Sequence, residues 1–393
     1  MNLKALLQWS KTPKQIKLNT NGSNSTKDPV QAYCRLRPMK NESEESCLKL
    51  VSQSSVLLSP PTTAVNYRAN FKEVKYKFRR VFDADIGQNE IFNEVARPLV
   101  ENLVRGRNGL LFTYGVTGSG KTYTMVGDKQ NPGLMQRSID VLFKTIANNH
   151  AKKFIFKPDK LNGFDVQSEA DACAERHAEL SSKYSKTPKR CNSDLETPVI
   201  TEDLSVVEGV DDDNIYSVFV TFAEIYNNSI YDLLEESANK DQRSLQNRMI
   251  REDGAKNMYL HGITEIECKS TEEAVEIFNR GLRRKRMGCT NMNSESSRSH
   301  SVFTIRLVQA PTDQSGENVI QEKRVVCISQ LSLVDLAGSE RAVRTKNSGT
   351  RLREACCINN SLMTLRSCLD ILRENQMTGS NTIVPYRDSK LTH

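Results

Sequence analysis

The chain has 393 residues, of which 37% are hydrophobic and 26% are charged, the composition of an ordinary globular protein. Its net charge of +7 suits a partner with an acidic surface, either nucleic acid or an acidic protein polymer, and does not choose between them. No apolar run approaches the roughly 20 residues of a membrane span. The length allows two or three domains, or one large α/β domain that carries insertions.

The cysteines give no sign of a disulfide framework or a metal site. The ten cysteines are scattered and include no Cys-x-x-Cys pair. The adjacent residues Cys356 and Cys357 form a poor disulfide and do not have the spacing of metal ligands. We therefore expect reduced thiols and no zinc site.

The first segments of the chain predict a flexible arm and then a strand. Residues 1–27 contain several lysines and no acidic residue, so we expect a disordered basic arm, although a transit peptide would also lack acids. Residues 30–38 alternate apolar and polar side chains and end at Pro38, which predicts a strand. Arg35 and Arg37 would share one face of it. There they either meet an anionic or aromatic ligand or are solvated.

The next elements lead to a glycine-rich loop. A strand is expected at residues 76–82 and a helix at 89–104, and the apolar run at 110–114 predicts a buried strand. The loop after it has two glycines separated by four residues and followed by Lys121 and Thr122, which is the P-loop pattern. Glycines let successive N–H groups point at phosphate oxygens, Lys121 supplies a cation, and the Thr122 hydroxyl is placed to ligate Mg²⁺.

Residues 157–213 differ in composition from the rest of the chain. They are polar and charged, with an acidic patch at 211–213 and little apolar surface to bury. We expect a long, largely disordered surface insertion. Thr187 and Thr197 each precede a proline and resemble sites of proline-directed kinases, but an unmodified linker is the favoured interpretation.

The remaining chain predicts alternating strands and helices. Strands are expected at 216–226, 262–267, 302–308 and 324–334, and helices at 138–146, 271–284 and 352–372. Asn227 and Asn228 predict a turn, after which residues 229–234 are expected to begin a helical segment. The strand at 324–334 ends in Asp335, and P-loop enzymes use such an Asp to hold the water around Mg²⁺.

Several motifs that occur in one order together resemble a kinesin motor domain. They are residues 35–38, the P-loop at 115–122, the polar loop at 293–300, and the segments 335–340, 358–362 and 384–392. The resemblance covers residues 28–393. It implies an α/β P-loop NTPase of the kinesin motor type, with a central mixed β-sheet flanked by helices on both faces. The insertion, the P-loop sequence and residues 321–330 look most similar to the kinesin-6 branch.

The resemblance implies ATP and Mg²⁺ as bound groups and assigns the site residues. The nucleotide-binding residues would be Arg35, Arg37, Pro38, Gly115, Val116, Thr117, Gly118, Ser119, Gly120, Lys121, Thr122 and Tyr123. Thr122 and Ser297 would ligate Mg²⁺, and Asp335 would hold its water shell. The catalytic residues would be Asn293, Ser296, Ser297, Arg298, Gly338 and Glu340.

The resemblance implies more specific roles for three of these catalytic residues. Gly338 would offer a backbone N–H to the γ-phosphate, since only a residue without Cβ lets the backbone approach so closely. Arg298 and Glu340 would form an ion pair that closes the site and places the attacking water. When the γ-phosphate leaves, both switch loops would relax.

The resemblance also implies microtubules as the partner. Arg387 and Lys390 would contact the acidic surface of tubulin, and the helix at 359–372 would carry the nucleotide-dependent change to it. The implied function is ATP-driven, plus-end-directed movement in the central spindle and cytokinesis, in the cytoplasm and on the cytoskeleton at the spindle midzone and midbody. A Rho-family GTPase-activating protein of the centralspindlin complex would bind only through segments outside this chain.

Two alternatives come from other function classes. A non-motile microtubule-binding product would bind ATP without stepping, because the chain ends before a neck linker. An ATPase or GTPase acting on nucleic acid would share the P-loop, but the paired switch motifs and the absence of interleaved aromatic and basic residues argue against it.

Three departures from the kinesin pattern are expected to matter. Arg107 stands where many kinesins have an aromatic residue beside the adenine, and Cys356-Cys357 replaces a small or polar pair. The chain ends before the last strand, last helix and neck linker of the family. We therefore expect a truncated or incomplete product, and we expect residues 1–393 alone to fold poorly because backbone groups in the sheet would be unpaired.

Overall fold

The structure is a computed structural model that describes residues 30–39, 46–59, 73–185, 206–235, 246–292, 298–313, 318–340 and 350–393. The arm predicted at 1–27 lies outside the described residues, as do Thr187 and Thr197. Within the described ranges, no helix combines the length and the apolar character that crossing a membrane requires.

The elements alternate along the chain. The strands are β1 Tyr33–Arg35, β2 Leu48–Ser52, β3 Ser55–Leu58, β4 Val74–Lys77, β5 Arg80–Phe82, β6 Gly109–Thr113, β7 Phe156–Pro158, β8 Phe164–Val166, β9 Asn214–Tyr226, β10 Ser229–Asp232, β11 Met249–Glu252, β12 Met258–His261, β13 Ile266–Cys268, β14 His300–Pro311 and β15 Cys327–Asp335. The helices are α1 Gln88–Ile91, α2 Arg97–Val104, α3 Lys121–Met125, α4 Leu134–Thr145, α5 Glu169–Ser185, α6 Thr271–Met292 and α7 Thr350–Thr378. A π-helical segment, Phe92–Ala96, joins α1 to α2.

A mixed sheet forms the centre of the molecule. Its strands run in the order β10, β9, β14, β15 and β6, and β13 also pairs with β9. The long strands β9 and β14 pair antiparallel, whereas β15 pairs parallel with β6. The parallel register places Asp335 opposite Thr113. The strand that leads into the P-loop therefore ends beside the predicted metal-site aspartate.

Helices cover both faces of this sheet, as the resemblance implies. Leu331 and Leu333 of β15 belong to the main core, together with residues of α2, α4 and α6 such as Leu103 and Leu142. Val334 points to the opposite face, because side chains alternate along a strand, and there it packs with Leu362 of α7. The P-loop thus lies at one edge of a sheet whose two faces carry different helices.

The helical segment predicted at 229–234 is wrong. Asn227 and Asn228 have φ angles of 47° and 61°, and β10 pairs back onto the end of β9. Two consecutive left-handed residues make the tight turn that suits a two-residue hairpin, and asparagine adopts this conformation at low cost. The predicted turn is present, but it reverses a strand into another strand.

The expectation of a largely disordered insertion is also wrong for residues 157–185. Strands β7 and β8 form a hairpin, and α5 follows it. Phe156 and Phe164 are buried against Phe219 and Val308 on the sheet, in a second small core. These few apolar residues anchor a segment whose average composition is polar. Residues 186–205 of the insertion lie outside the described part of the chain.

Candidate functional site

The P-loop follows β6 directly and ends at the first turn of α3. Gly118 and Gly120 have φ angles of 79° and 96°, which a residue with a Cβ adopts only at a cost. The backbone can therefore turn sharply just before the N-terminus of a helix, where N–H groups are available to phosphate oxygens. This is the strand, loop and helix order that the sequence predicted.

Lys121 folds back over the loop that it would use to hold phosphate. Its Nζ donates to the carbonyl oxygens of Gly115 and Val116, at 2.9 Å each. Burial lowers the pKa of Lys121, and the carboxylates of Asp335 and Glu340 act in the opposite direction. The ammonium group is thus held in the concave side of the loop, next to two acidic side chains.

A hydroxyl and a carboxylate meet beside the P-loop. Thr122 donates its hydroxyl to Asp335 Oδ2 at 2.8 Å, and Thr113 donates to the other carboxylate oxygen at 3.4 Å. Asp335 is buried at the end of β15. Oxygen donors of this type are the ligands that Mg²⁺ prefers, so the residues fit the predicted metal. Ser297, the other predicted ligand, lies outside the described residues.

The arginine motif at the predicted adenine side packs against the back of the P-loop helix. Arg35 donates to Gln88 Oε1 at 3.0 Å and to Thr124 Oγ1 at 2.9 Å, and its guanidinium lies 5.2 Å from the ring centroid of Tyr123. Arg37 donates to the carbonyl of Gly118 and is exposed, as is Pro38. Arg35 therefore braces α3, and Arg37 and Pro38 lie exposed beside the P-loop, where the predicted contact with a base stays a prediction.

Gln88 was not predicted and is part of the same support. Its side chain is 3% exposed, and it donates to the carbonyl of Tyr123 at 2.6 Å while accepting from Arg35. Nothing in the local sequence around Gln88 indicates this role, because both partners come from distant segments. It fixes the position of the helix that begins with Lys121 and Thr122.

The segment after β15 lies directly on the P-loop. Ser339 donates its N–H to the carbonyl of Gly115 at 3.1 Å. The Glu340 carboxylate accepts from the backbone N–H of Thr117 at 3.0 Å and from the Thr117 hydroxyl at 2.7 Å. Burial acts to raise the pKa of Glu340, but the hydrogen bonds from Thr117 outweigh it and lower the pKa. Gly338 lies between these groups.

The polar loop at 293–300 is described only from Arg298 onward. Asn293, Ser296 and Ser297 lie outside the described residues. Arg298 makes an ion pair with Glu354 of α7 at 3.0 Å. The predicted pair of Arg298 with Glu340 is not among the ion pairs of the described residues, where Glu340 is held by Thr117 instead.

A buried polar network continues from this loop into the sheet. His300 accepts the N–H of Ala337 on Nδ1 at 3.0 Å, which joins the start of β14 to the segment before Gly338. Burial lowers the pKa of His300 to about 4, and the nearby Lys285 and Lys121 add to the effect. Ser299 donates to Glu224 Oε1 at 2.5 Å. Burial raises the pKa of Glu224, while Ser299 and Lys285 oppose that rise.

Comparison with known proteins identifies this arrangement. A family model of the kinesin motor domain matches residues 35–393. The chain belongs to the kinesin motor-domain family. In the motif order of that family, residues 115–122, 335–340 and 293–300 correspond to the P-loop, switch II and switch I, and their roles in this chain stay predictions.

The relatives place the motor domain in the kinesin-6 branch, as the sequence predicted. Kinesin-like protein KIF23 of Mus musculus is 48% identical over 390 residues, which cover 98% of this chain and 41% of that protein. Kinesin-like protein subito of Drosophila melanogaster is 31% identical, over 94% of this chain and 57% of that protein. The chain thus spans about two fifths to three fifths of the length of these curated relatives.

Solved structures agree with this placement. A structure described as kinesin 6 has a TM-score of 0.77 and 40% identity, and the match covers 93% of this chain and 89% of that one. The KIF14 motor domain with ADP, in complex with a microtubule, has a TM-score of 0.65 and 26% identity. That match covers 92% of this chain and 83% of the KIF14 chain.

The predicted microtubule contacts of this kinesin lie together near the end of the chain. Arg387 is 71% exposed and pairs at 3.0 Å with Glu252 of β11, and Lys390 is exposed nearby. Ile383 is 89% exposed and Tyr386 is 44% exposed in the same segment. The segment therefore presents cations and apolar side chains together at the surface.

The two unusual positions of this kinesin are both accessible. Arg107 is exposed after α2, and its backbone N–H bonds to Asn102 at 2.8 Å. Cys356 is exposed and Cys357 partly buried, where the second turn of α7 meets the third. The cysteine pair therefore continues a regular helix and does not interrupt it.

Proposed function

We propose that this kinesin motor domain is a microtubule-stimulated ATPase that uses ATP hydrolysis to drive movement along microtubules. The observation that carries the proposal is the convergence of Lys121, the Thr122–Asp335 pair and Glu340 on one P-loop. A purely structural ion cluster would not require a glycine loop with two left-handed residues at a helix start.

The residues fit ATP with Mg²⁺ as the bound groups. P-loop N–H groups and Lys121 would hold the phosphates, and Thr122 would ligate the metal while Asp335 holds its water. Mg²⁺, when bound, would neutralise charge on the phosphate oxygens. Lys121 would exchange its present carbonyl partners for phosphate oxygens, which are better acceptors for a cation.

Hydrolysis would then depend on position and electrostatics. Gly338 would offer its N–H to the γ-phosphate, and Glu340 with Arg298 would orient the attacking water. Helix α7 packs by Leu362 against Val334, one residue before Asp335. This contact supports a route by which a change at the nucleotide reaches the exposed segment around Arg387.

Two features support microtubules as the track. The exposed cations Arg387 and Lys390 suit an acidic polymer, and the related KIF14 motor domain was captured in complex with a microtubule. Plus-end direction and a role in the central spindle and cytokinesis are finer proposals, supported by the similarity to the kinesin-6 branch. The same similarity supports a Rho-family GTPase-activating protein as a further partner.

The test is ATP turnover by the purified protein with and without microtubules. Strong stimulation by microtubules is expected, and stimulation by RNA or DNA that exceeds it would overturn the proposal. Gliding of microtubules on a surface coated with the protein then distinguishes a motor from a non-motile microtubule-binding protein. Stimulated turnover without gliding would favour the non-motile alternative.

A further inference from the structure

Arg298 is held by a group that belongs to another element. The Arg298 Nη1 atom lies 3.0 Å from Glu354 Oε2, and the Tyr226 hydroxyl donates to the other carboxylate oxygen, Oε1. The side chains of Arg298 and Glu354 are 22% and 15% exposed. The contact therefore joins the end of switch I, the end of β9 and the second turn of α7 in a site that is largely shielded from solvent.

The Glu340 carboxylate likewise has a partner other than Arg298, and that partner belongs to the P-loop. Its Oε2 accepts the backbone N–H of Thr117 at 3.0 Å, and its Oε1 accepts the Thr117 hydroxyl at 2.7 Å. The proposed water-orienting pair requires Arg298 and Glu340 to meet. Two carboxylates, Glu354 and Glu340, therefore compete for one guanidinium, and the structure records the arrangement with Glu354.

We infer that Glu354 and Tyr226 are positioning residues for ATP hydrolysis, which hold Arg298 away from Glu340 until the γ-phosphate is bound. The inference rests on the proposed ATPase function and deepens it. A partly buried pair of opposite charges is screened less than a surface pair, so its loss shifts the balance between the two arrangements. The open arrangement is stabilised by Glu354, and the closed one by the γ-phosphate.

The position of Glu354 links this balance to the track-binding side. Helix α7 carries Glu354 near its start, and Ile358, Leu362 and Leu365 pack farther along it in the small core with Leu391. Lys390, a predicted tubulin contact, is adjacent to Leu391. A displacement of α7 at the microtubule side would therefore change the distance between Glu354 and Arg298, and with it the ease of closure.

The experiment compares nucleotide affinities of the wild type, Glu354→Gln and Tyr226→Phe, measured with the non-hydrolysable analogue AMP-PNP and with ADP. Only AMP-PNP carries the γ-phosphate group that favours closure. We expect Glu354→Gln to bind AMP-PNP roughly threefold to tenfold more tightly than the wild type, with ADP affinity unchanged. Tyr226→Phe keeps the ring, removes one hydrogen bond to Glu354 and should shift affinity in the same direction by less.

A matched control is available on the same helix. Asp370→Asn removes an exposed ion pair with Arg366, whose side chains are 71% and 84% exposed, and should change neither affinity. In an Arg298→Ala background, Glu354→Gln should have no further effect. Equal changes for ADP and AMP-PNP, or weaker AMP-PNP binding, would overturn the inference. These affinities can be measured without hydrolysis. A wild type that binds nucleotide but does not hydrolyse it would therefore contradict the proposed function, while the affinities would still test this inference.

Discussion

The Cα atom of Gly338 has no free space around it. A Cβ there would lie 2.3 Å from Glu340 Oε2 and 2.3 Å from the Thr117 hydroxyl. Any larger residue must push the carboxylate off the P-loop or move switch II away from it. The absence of a Cβ at Gly338 therefore allows the Glu340 carboxylate and the Thr117 hydroxyl to meet beside this residue.

Gly338→Ala is expected to lower kcat for ATP by at least about 100-fold, because the added methyl group would displace the Glu340 carboxylate and crowd the N–H proposed to meet the γ-phosphate. ADP affinity should change by less than about threefold, since ADP lacks that phosphate. Steady-state turnover and binding of a fluorescent ADP measure the two effects. Gly254→Ala is the control, because nothing lies within 4 Å of its added Cβ. Near-normal turnover by the Gly338→Ala protein would contradict the assigned role.

His300 makes stability depend on pH. Its pKa in the folded protein is about 4, below the ordinary value of 6.5, so the unfolded chain binds a proton over this range and the folded protein does not. The stabilisation that His300 contributes should therefore be fully present above pH 6.5. Between pH 6.5 and 4, the free energy of unfolding should fall by up to about 3 kcal/mol because of this residue. Denaturant titrations at several pH values measure this loss.

A substitution isolates the contribution of His300. His300→Asn removes the titration, so the slope of stability against pH between 6.5 and 4 should become shallower. An identical slope in the wild type and the His300→Asn protein would refute the assignment.

At the residue scale, the sequence predicts motifs better than it predicts partners. The P-loop and Asp335 were predicted because each belongs to a short contiguous motif. The structure brings Thr122 and Asp335 together across 213 positions. Gln88 and Glu354 were missed because each acts on a residue far away in the chain, at separations of 53 and 56 positions from Arg35 and Arg298. A single sequence carries no signal for such pairs.

At the scale of elements, charges hold the insertion helix α5 in place. Among its described side chains, Ala172 is the buried one, whereas Lys153 pairs with Glu179 at 2.8 Å and Lys157 pairs with Glu175 at 2.7 Å. The polar composition that suggested disorder is thus the composition of a helix docked by ion pairs. A composition average does not distinguish solvated charges from paired ones, and so the sequence could not separate these cases.

Docking by ion pairs predicts salt sensitivity. Each partly exposed pair contributes roughly 0.2–1 kcal/mol at low salt and less when screened. Raising the salt concentration from about 0.05 M to 0.5 M should therefore speed amide hydrogen exchange in α5, while the buried strands β9 and β14 remain protected. Lys153→Ala should produce the same change at low salt. Exchange in α5 that does not respond to salt would show that packing, not charge, holds the helix.

At the scale of the whole molecule, the P-loop strand lies at the edge of the central sheet. Within the described residues, β6 pairs with β15 on one side and has no strand on its other side, and β1 pairs with β5 in a separate ribbon. Leu110 of β6 is 59% exposed and Tyr114, just after the strand, is 62% exposed. The sequence predicted β6 as a buried strand, so its exposure is a correction. An apolar strand whose outer edge pairs with none of the described strands is a template for association with other chains.

Purified 1–393 protein is therefore expected to self-associate as its concentration rises and to unfold over a broad temperature range. Leu110→Lys should reduce the association, because a charge on an edge strand opposes pairing with another edge. Light scattering across a concentration series and a thermal melt followed by circular dichroism measure the two properties. Leu161→Lys removes a leucine that is 66% exposed but lies outside any strand, and it should not reduce association. A sharp, concentration-independent melt of the wild type would show that the open edge of β6 does not limit the stability of this domain.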